Sequence, residues 1–132
     1  MNTAAPKPMP TVLLVDDDSF LRDLMGVMLN QLGVTVLHQA GNGREALTVL
    51  GELAQAPDFL ICDIYMPDMD GIEFVAELAR LAYPGGLILL SGVNPETLQL
   101  ACDIAEGNGI RLVGAFVKPV NPDTLARVLG IG

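Results

Sequence analysis

Five short apolar runs, each followed by a stretch with apolar residues at helical spacing, constrain this chain more than any other feature. The runs are TVLLV (11–15), VTVLHQ (34–39), DFLIC (58–62), GLILLS (86–91) and IRLVGAFV (110–117). They are near-continuous and not alternating, the pattern of strands covered on both faces. The intervening stretches predict helices over 19–33, 42–54, 70–82, 94–107 and 121–130. Asn42 with Glu45, and Asp70 with Glu73, have capping-box spacing. Asn94-Pro95 and Asn121-Pro122 pair a cap with proline at the first helical position. Gly33 is a stop signal for the first helix. Strands alternating with helices predict an α/β fold, an open parallel sheet wound on both faces.

The 132 residues predict one domain with room for a core, and 51% of them are hydrophobic. The first ten, MNTAAPKPMP, read as a flexible lead-in to a domain over 11–132. They have no apolar core of the signal-peptide kind. No apolar run approaches the roughly 20 residues that span a bilayer. Sixteen acidic residues against seven basic ones give a net charge of −9. That argues against sequence-independent nucleic-acid binding, which needs Lys and Arg at the phosphates. It favours cations and basic protein surfaces. Cys62 and Cys102 form no CxxC or metal spacing, and Cys62 falls in an apolar run, so it reads as a buried thiol. This usage suits a reducing cytoplasm.

Polar residues converge on one edge of the predicted sheet. Asp16, Asp17 and Asp18 follow the first strand and Asp63 the third; Ser91 ends the fourth, and Lys118 follows the fifth. Singly, each has an ordinary role: an Asp after a strand caps a helix or makes a turn, and a Lys is solvated. Random placement would scatter them over both ends of the sheet. Two like charges about 4 Å apart repel by roughly 4 kcal/mol at an effective dielectric near 20, so such crowding needs a counter-charge. Carboxylates from two strands suit a hard cation such as Mg²⁺, bound through one or two carboxylates and a phosphate. An amine and a hydroxyl nearby suit phosphoryl oxygens. No GxxxxGK[ST] occurs, which excludes a nucleotide-binding P-loop.

Taken together, LLVDDDSFLR, LICDIYMPDMDG, LILLSG and VKP resemble the bacterial two-component response-regulator receiver domain, over about residues 11 to 130. The resemblance implies a flavodoxin-like (βα)5 fold with strand order 2-1-3-4-5. It implies that Asp63 accepts a phosphoryl group from a sensor histidine kinase or phosphotransfer protein. Asp16 and Asp17 would hold Mg²⁺ (or Mn²⁺) with Asp63 and the backbone carbonyl of Tyr65. Ser91 would turn inward to the phosphoryl group, Lys118 would pair with it, and the bond before Pro119 would be cis. It also implies a signalling domain and not an enzyme on a separate substrate, with a possible homodimer through helix four, strand five and helix five. GGLILLSG and GNGIRLVGAFVKPV resemble more weakly the receivers found upstream of EAL-type cyclic-di-GMP phosphodiesterases. No EAL sequence occurs in the 132 residues, which leaves an output domain elsewhere or a stand-alone receiver.

Two positions depart from the family pattern. The aromatic usual three residues before the lysine is Ala115 here; Phe116, one later, should face the other way. Tyr65 is bulky beside the acceptor and is expected to alter the access of attacking water. A rival reading is a haloacid-dehalogenase-type phosphatase, with Asp16 as nucleophile, Asp18 as acid/base and Lys118 in its third motif. It expects an acidic pair after the lysine, where only Asp123 occurs, and leaves Asp63 unexplained. A receiver fold signalling without phosphate is a third reading. His38 reads as structural, and the Met25/Met28 stripe as core. Phe20 and Val27, off that stripe, could contact a phosphodonor. Asp18 and Asp70 read as helix caps, and Asp68 as a turn residue.

Overall fold

The computed structural model describes residues 9–66, 69, 71–92 and 95–131. Asp68, Asp70, Asn94 and most of the lead-in lie outside them. The chain alternates β1 (Val12–Val15), α1 (Ser19–Gln31), β2 (Leu37–Ala40), α2 (Gly43–Glu52), β3 (Phe59–Asp63), α3 (Gly71–Arg80), β4 (Gly86–Ser91), α4 (Pro95–Gly107), β5 (Arg111–Val117) and α5 (Pro122–Val128). All strand pairs are parallel, in the order β2-β1-β3-β4-β5. Both the α/β class and the strand order agree with the expectation.

Successive residues of a strand point to opposite faces, and this divides the core. Leu13, Val15, Leu60, Cys62, Leu87 and Leu89 pack under α2, α3 and α4, against residues such as Phe74, Leu78 and Ala101. Val12, Leu14, Ile61, Ile88 and Leu90 pack on the opposite side, against Leu29 of α1 and Leu125 of α5. The inner strands are therefore buried on both faces, which is why they read as unbroken apolar runs.

The helix ends follow local chemistry. The Asp18 carboxylate accepts from the amides of Phe20 and Leu21 and caps α1. Asn42 caps α2 through the Glu45 amide, and Asn121 caps α5 through the Asp123 amide. Gly33 adopts φ 105°, and the Val34 amide returns to the Leu29 carbonyl, closing α1 as a left-handed glycine terminus does.

Three expectations are corrected. β2 begins at Leu37 and not at residue 34; Val34 is buried, but by packing beneath the end of α1. The Met25/Met28 stripe of α1 is only partly core: on the same helix Leu29 is buried, whereas Leu21 and Leu24 are exposed. Met25 and Met28 are partly buried, above a cavity of about 290 Å³ that also reaches Lys118 and Pro119. Finally, β5 is not a plain strand. Its pairing with β4 slips between Leu87↔Leu112 and Ile88↔Gly114, so Val113 is an extra residue. This bulge puts Val113 and Gly114 on one face; a Cβ on Gly114 would meet the Phe116 ring at 2.6 Å. Beyond it, Ala115 faces α4 while Phe116 faces α5, as the sequence predicts.

Candidate functional site

Strand register assembles the site. Val15 pairs with Cys62, so Asp16 and Asp63 are the next residues on adjacent strands. Neighbouring strands lie about 4.8 Å apart, too close for two bare carboxylates. Ser91 pairs with Val117, and the Lys118 amide donates to the Ser91 carbonyl at 2.8 Å. This directs Lys118 back across the strand ends, and its peptide bond to Pro119 is cis. Its Nζ donates to Asp16 Oδ2 and Asp63 Oδ2, each at 2.9 Å. The Tyr65 amide donates to Asp63 Oδ1 at 3.0 Å, so both oxygens of Asp63 are engaged.

The acids differ in their surroundings. Asp16 and Asp63 are 6% and 7% exposed, while Asp17 is open to solvent. Ser91 is buried completely. One carboxylate oxygen from each of Asp16, Asp17 and Asp63 lies within 4.8 Å of the others. Asp18 stays apart: its amide binds Asp16 Oδ1 at 2.9 Å, and its own carboxylate is spent on the α1 cap. Its Oδ1 thus serves as the helix cap that the sequence predicts.

Burial pushes the Asp63 carboxyl above its ordinary 3.8; the Lys118 bond and the Tyr65 amide pull it down but do not prevail. Burial also works against the Lys118 charge, yet hydrogen bonds to Asp63 and Asp16 outweigh it and hold that pKa above 10.5. The asymmetry has a simple cause. At Asp63 burial prevails over the shared ammonium, whereas at Lys118 two carboxylates prevail over burial. Cys62 is fully buried beside the site, and burial followed by the charges of Asp63 and Asp16 raises its pKa well above 9.0, keeping it a thiol.

Three carboxylates and one ammonium leave two surplus negative charges. Hard oxygen donors with that surplus match a divalent oxygen-seeking cation, so the residues present fit Mg²⁺. Two polar residues went unread in the sequence. Arg22 Nη1 donates to the Asp16 carbonyl at 2.7 Å, and Arg22 Nε donates to Gln39 Oε1 at 3.1 Å. The available signal was the position of Arg22 in the first turns of α1, since helical side chains lean toward the N-terminus.

Residues 12–129 match the family described as Response regulator receiver domain. The chain belongs to that family. It is thus a receiver domain of two-component response regulators, a signalling module. It is 30% identical over 118 residues to the chemotaxis protein CheY of Thermotoga maritima, covering 89% of this chain and 92% of the relative. It is 35% identical over 120 residues to the positive alginate biosynthesis regulatory protein of Pseudomonas aeruginosa, covering 89% of this chain but only 45% of that protein. Its fold superposes on the chemotaxis protein CheY4 of Vibrio cholerae with a TM-score of 0.74 and 31% identity, covering 93% of this receiver and 98% of that chain. No helix among its described residues is long and apolar enough to cross a membrane.

Proposed function

We propose that this receiver, formed by residues 11–132 after a short lead-in, accepts a phosphoryl group on Asp63 from the phosphohistidine of a sensor kinase or phosphotransfer protein. The observation that carries the reading is the bridging of Asp16 and Asp63 by Lys118, with the oxygens of Asp16, Asp17 and Asp63 converging within 4.8 Å. Asp16, Asp17, Asp63 and the Tyr65 carbonyl would hold Mg²⁺ or Mn²⁺. When bound, the cation neutralises the surplus charge and the developing charge on the phosphoryl oxygens.

The transfer is a displacement at phosphorus. A carboxylate oxygen of Asp63 forms the new O–P bond. The P–N bond to the donor imidazole breaks, and its electron pair returns to the ring nitrogen. Lys118 exchanges its bond to Asp63 Oδ2 for one to a phosphoryl oxygen. The Tyr65 amide keeps the carboxyl plane in place, and the Ser91 hydroxyl is the proposed partner of the new group. An acyl phosphate brings roughly two negative charges, so the ends of β4 and β5 rearrange around it. That rearrangement is what an output domain or a downstream protein reads. A homodimer through α4, β5 and α5, where Leu100 and Val117 are exposed, belongs to the same reading. So does a cytoplasmic location, in keeping with two free cysteines.

Incubation with Mg²⁺ and acetyl phosphate, read by intact mass, tests the assignment. One added phosphoryl group is expected, absent with EDTA and absent in Asp63→Asn. Equal phosphorylation of that variant would falsify it. Tyr65 has an exposed side chain beside the acceptor, so Tyr65→Asn should change the rate of phosphoryl loss; an unchanged rate removes Tyr65 from the account.

A further inference from the structure

Asp17 presents a difficulty. Its carboxylate is solvent-exposed and makes no hydrogen bond among the described residues, yet it lies in the acid cluster. Its placement therefore depends on its backbone. The Asp16 carbonyl and the Asp17 amide form one planar peptide unit. Whatever holds that oxygen sets the plane from which the Asp17 side chain departs.

Arg22 holds it. Nη1 donates to the Asp16 oxygen at 2.7 Å, a short charge-assisted bond. Nε is anchored on Gln39 of β2 at 3.1 Å, and a Cβ on Gly41 would lie 3.5 Å from Nη1. The guanidinium is thus fixed between α1 and the end of β2. Among the described residues it makes no ion pair, and both its partners are neutral oxygens. A cation near a helix N-terminus opposes the macrodipole by about 0.3–1 kcal/mol, so the helix itself does not favour Arg22 there.

We infer that Arg22 is a positioning residue for the cation site, holding the Asp16–Asp17 peptide so that the Asp17 carboxylate faces Asp63, with Gln39 as its anchor. This rests on the proposed Mg²⁺ site. It also carries a sign that simple electrostatics would reverse. Removing a positive charge near a cation site should tighten Mg²⁺ by Coulomb attraction alone. Removing a positioning residue should weaken it.

Isothermal titration calorimetry of the whole protein with Mg²⁺ separates the two. Arg22→Met should raise the Mg²⁺ dissociation constant by roughly tenfold, the usual order for losing a group that orients a metal ligand. Gln39→Ala, which leaves the guanidinium unanchored but keeps its charge, should raise it less. Thermal melts without metal establish that each variant is folded. An unchanged or tighter constant in folded Arg22→Met overturns the inference. If that variant does not fold, an unchanged constant in Gln39→Ala overturns it instead. Absence of Mg²⁺ binding by the unaltered protein overturns the cation site itself, a different result from either.

Discussion

Two aspartates bracket β3, and they live differently. Asp58, just before the strand, is exposed and pairs with one neutral residue, Thr11, 47 residues away. Its Oδ2 accepts from the Thr11 amide at 2.9 Å and the Thr11 hydroxyl at 3.3 Å, and its own amide donates to the Thr11 hydroxyl at 2.9 Å. Asp63, at the other end, is buried and depends on a lysine 55 residues away that it shares with Asp16. One end of the strand closes with an exposed carboxylate met by neutral donors from the start of β1. The other concentrates charge that the fold must hold in place. Burial without full compensation marks a place for a ligand; the same side chain in the open with neutral partners marks a strand end.

The strongest test of this contrast removes the shared cation. Lys118→Met leaves Asp16 and Asp63 facing each other with no counter-charge. Breaking a buried ion pair from one side costs about 3 kcal/mol, measured by urea unfolding at neutral pH without metal. Because the Lys118 pKa is raised above 10.5 in the folded state, its contribution is fully present below pH 10.5 and is lost as pH rises through the folded value. The gap between the two proteins should therefore close in alkaline solution. A small, pH-independent gap would mean the acids at this end are no more demanding than Asp58.

A smaller effect is expected where the chain leaves β3 toward α3. The Gly71 amide donates to the Ile64 carbonyl at 2.9 Å, and a Cβ on Gly71 would lie 2.6 Å from Ile64 Cα. Backbone cannot yield there without shifting the Tyr65 amide that holds Asp63. Gly71→Ala should cost about 2 kcal/mol, the usual range for forcing an extra methyl into a closed contact. It should also slow phosphorylation by acetyl phosphate at saturating Mg²⁺. Stability lost with an unaltered phosphorylation rate would show that this loop supports the fold and not the acceptor.

Much of this is legible in the sequence. The inner strands show as unbroken apolar runs because helices cover both their faces, and the strand ends then place Asp16, Asp63 and Lys118 on one edge. The bulge at Val113 is hidden because an apolar run looks the same with or without an extra residue. The sequence starts β2 too early because Val34 is as apolar as a strand residue, though it is buried beneath the end of α1. The α1 stripe overstated its burial because periodicity gives the direction of a face and not what covers it. Arg22 is hidden for a related reason: the reach of a long side chain into a neighbouring loop leaves no period in the sequence.

The smallest expected effect is the most diagnostic, because its sign differs at the two ends of β3. The Asp63 pKa is raised in the folded state, so the native protein holds its proton more tightly than the unfolded chain does. Stability from this group is then reduced at neutral pH, and the reduction fades as pH falls through the raised value toward 3.8. Asp63→Asn keeps the shape and removes the buried charge, so without metal it should raise the melting temperature slightly at pH 7 and lose that advantage in acid. Asp58→Ala removes an acceptor from two Thr11 donors and should lower stability by about 1 kcal/mol at pH 7. Thermal melts at neutral and acid pH would read both. If Asp63→Asn melts lower than the unaltered protein at pH 7, then Lys118 and the Tyr65 amide compensate that charge in full. The site would then be as satisfied as its counterpart at Asp58, and the case for a cation drawn to it would lose its energetic basis.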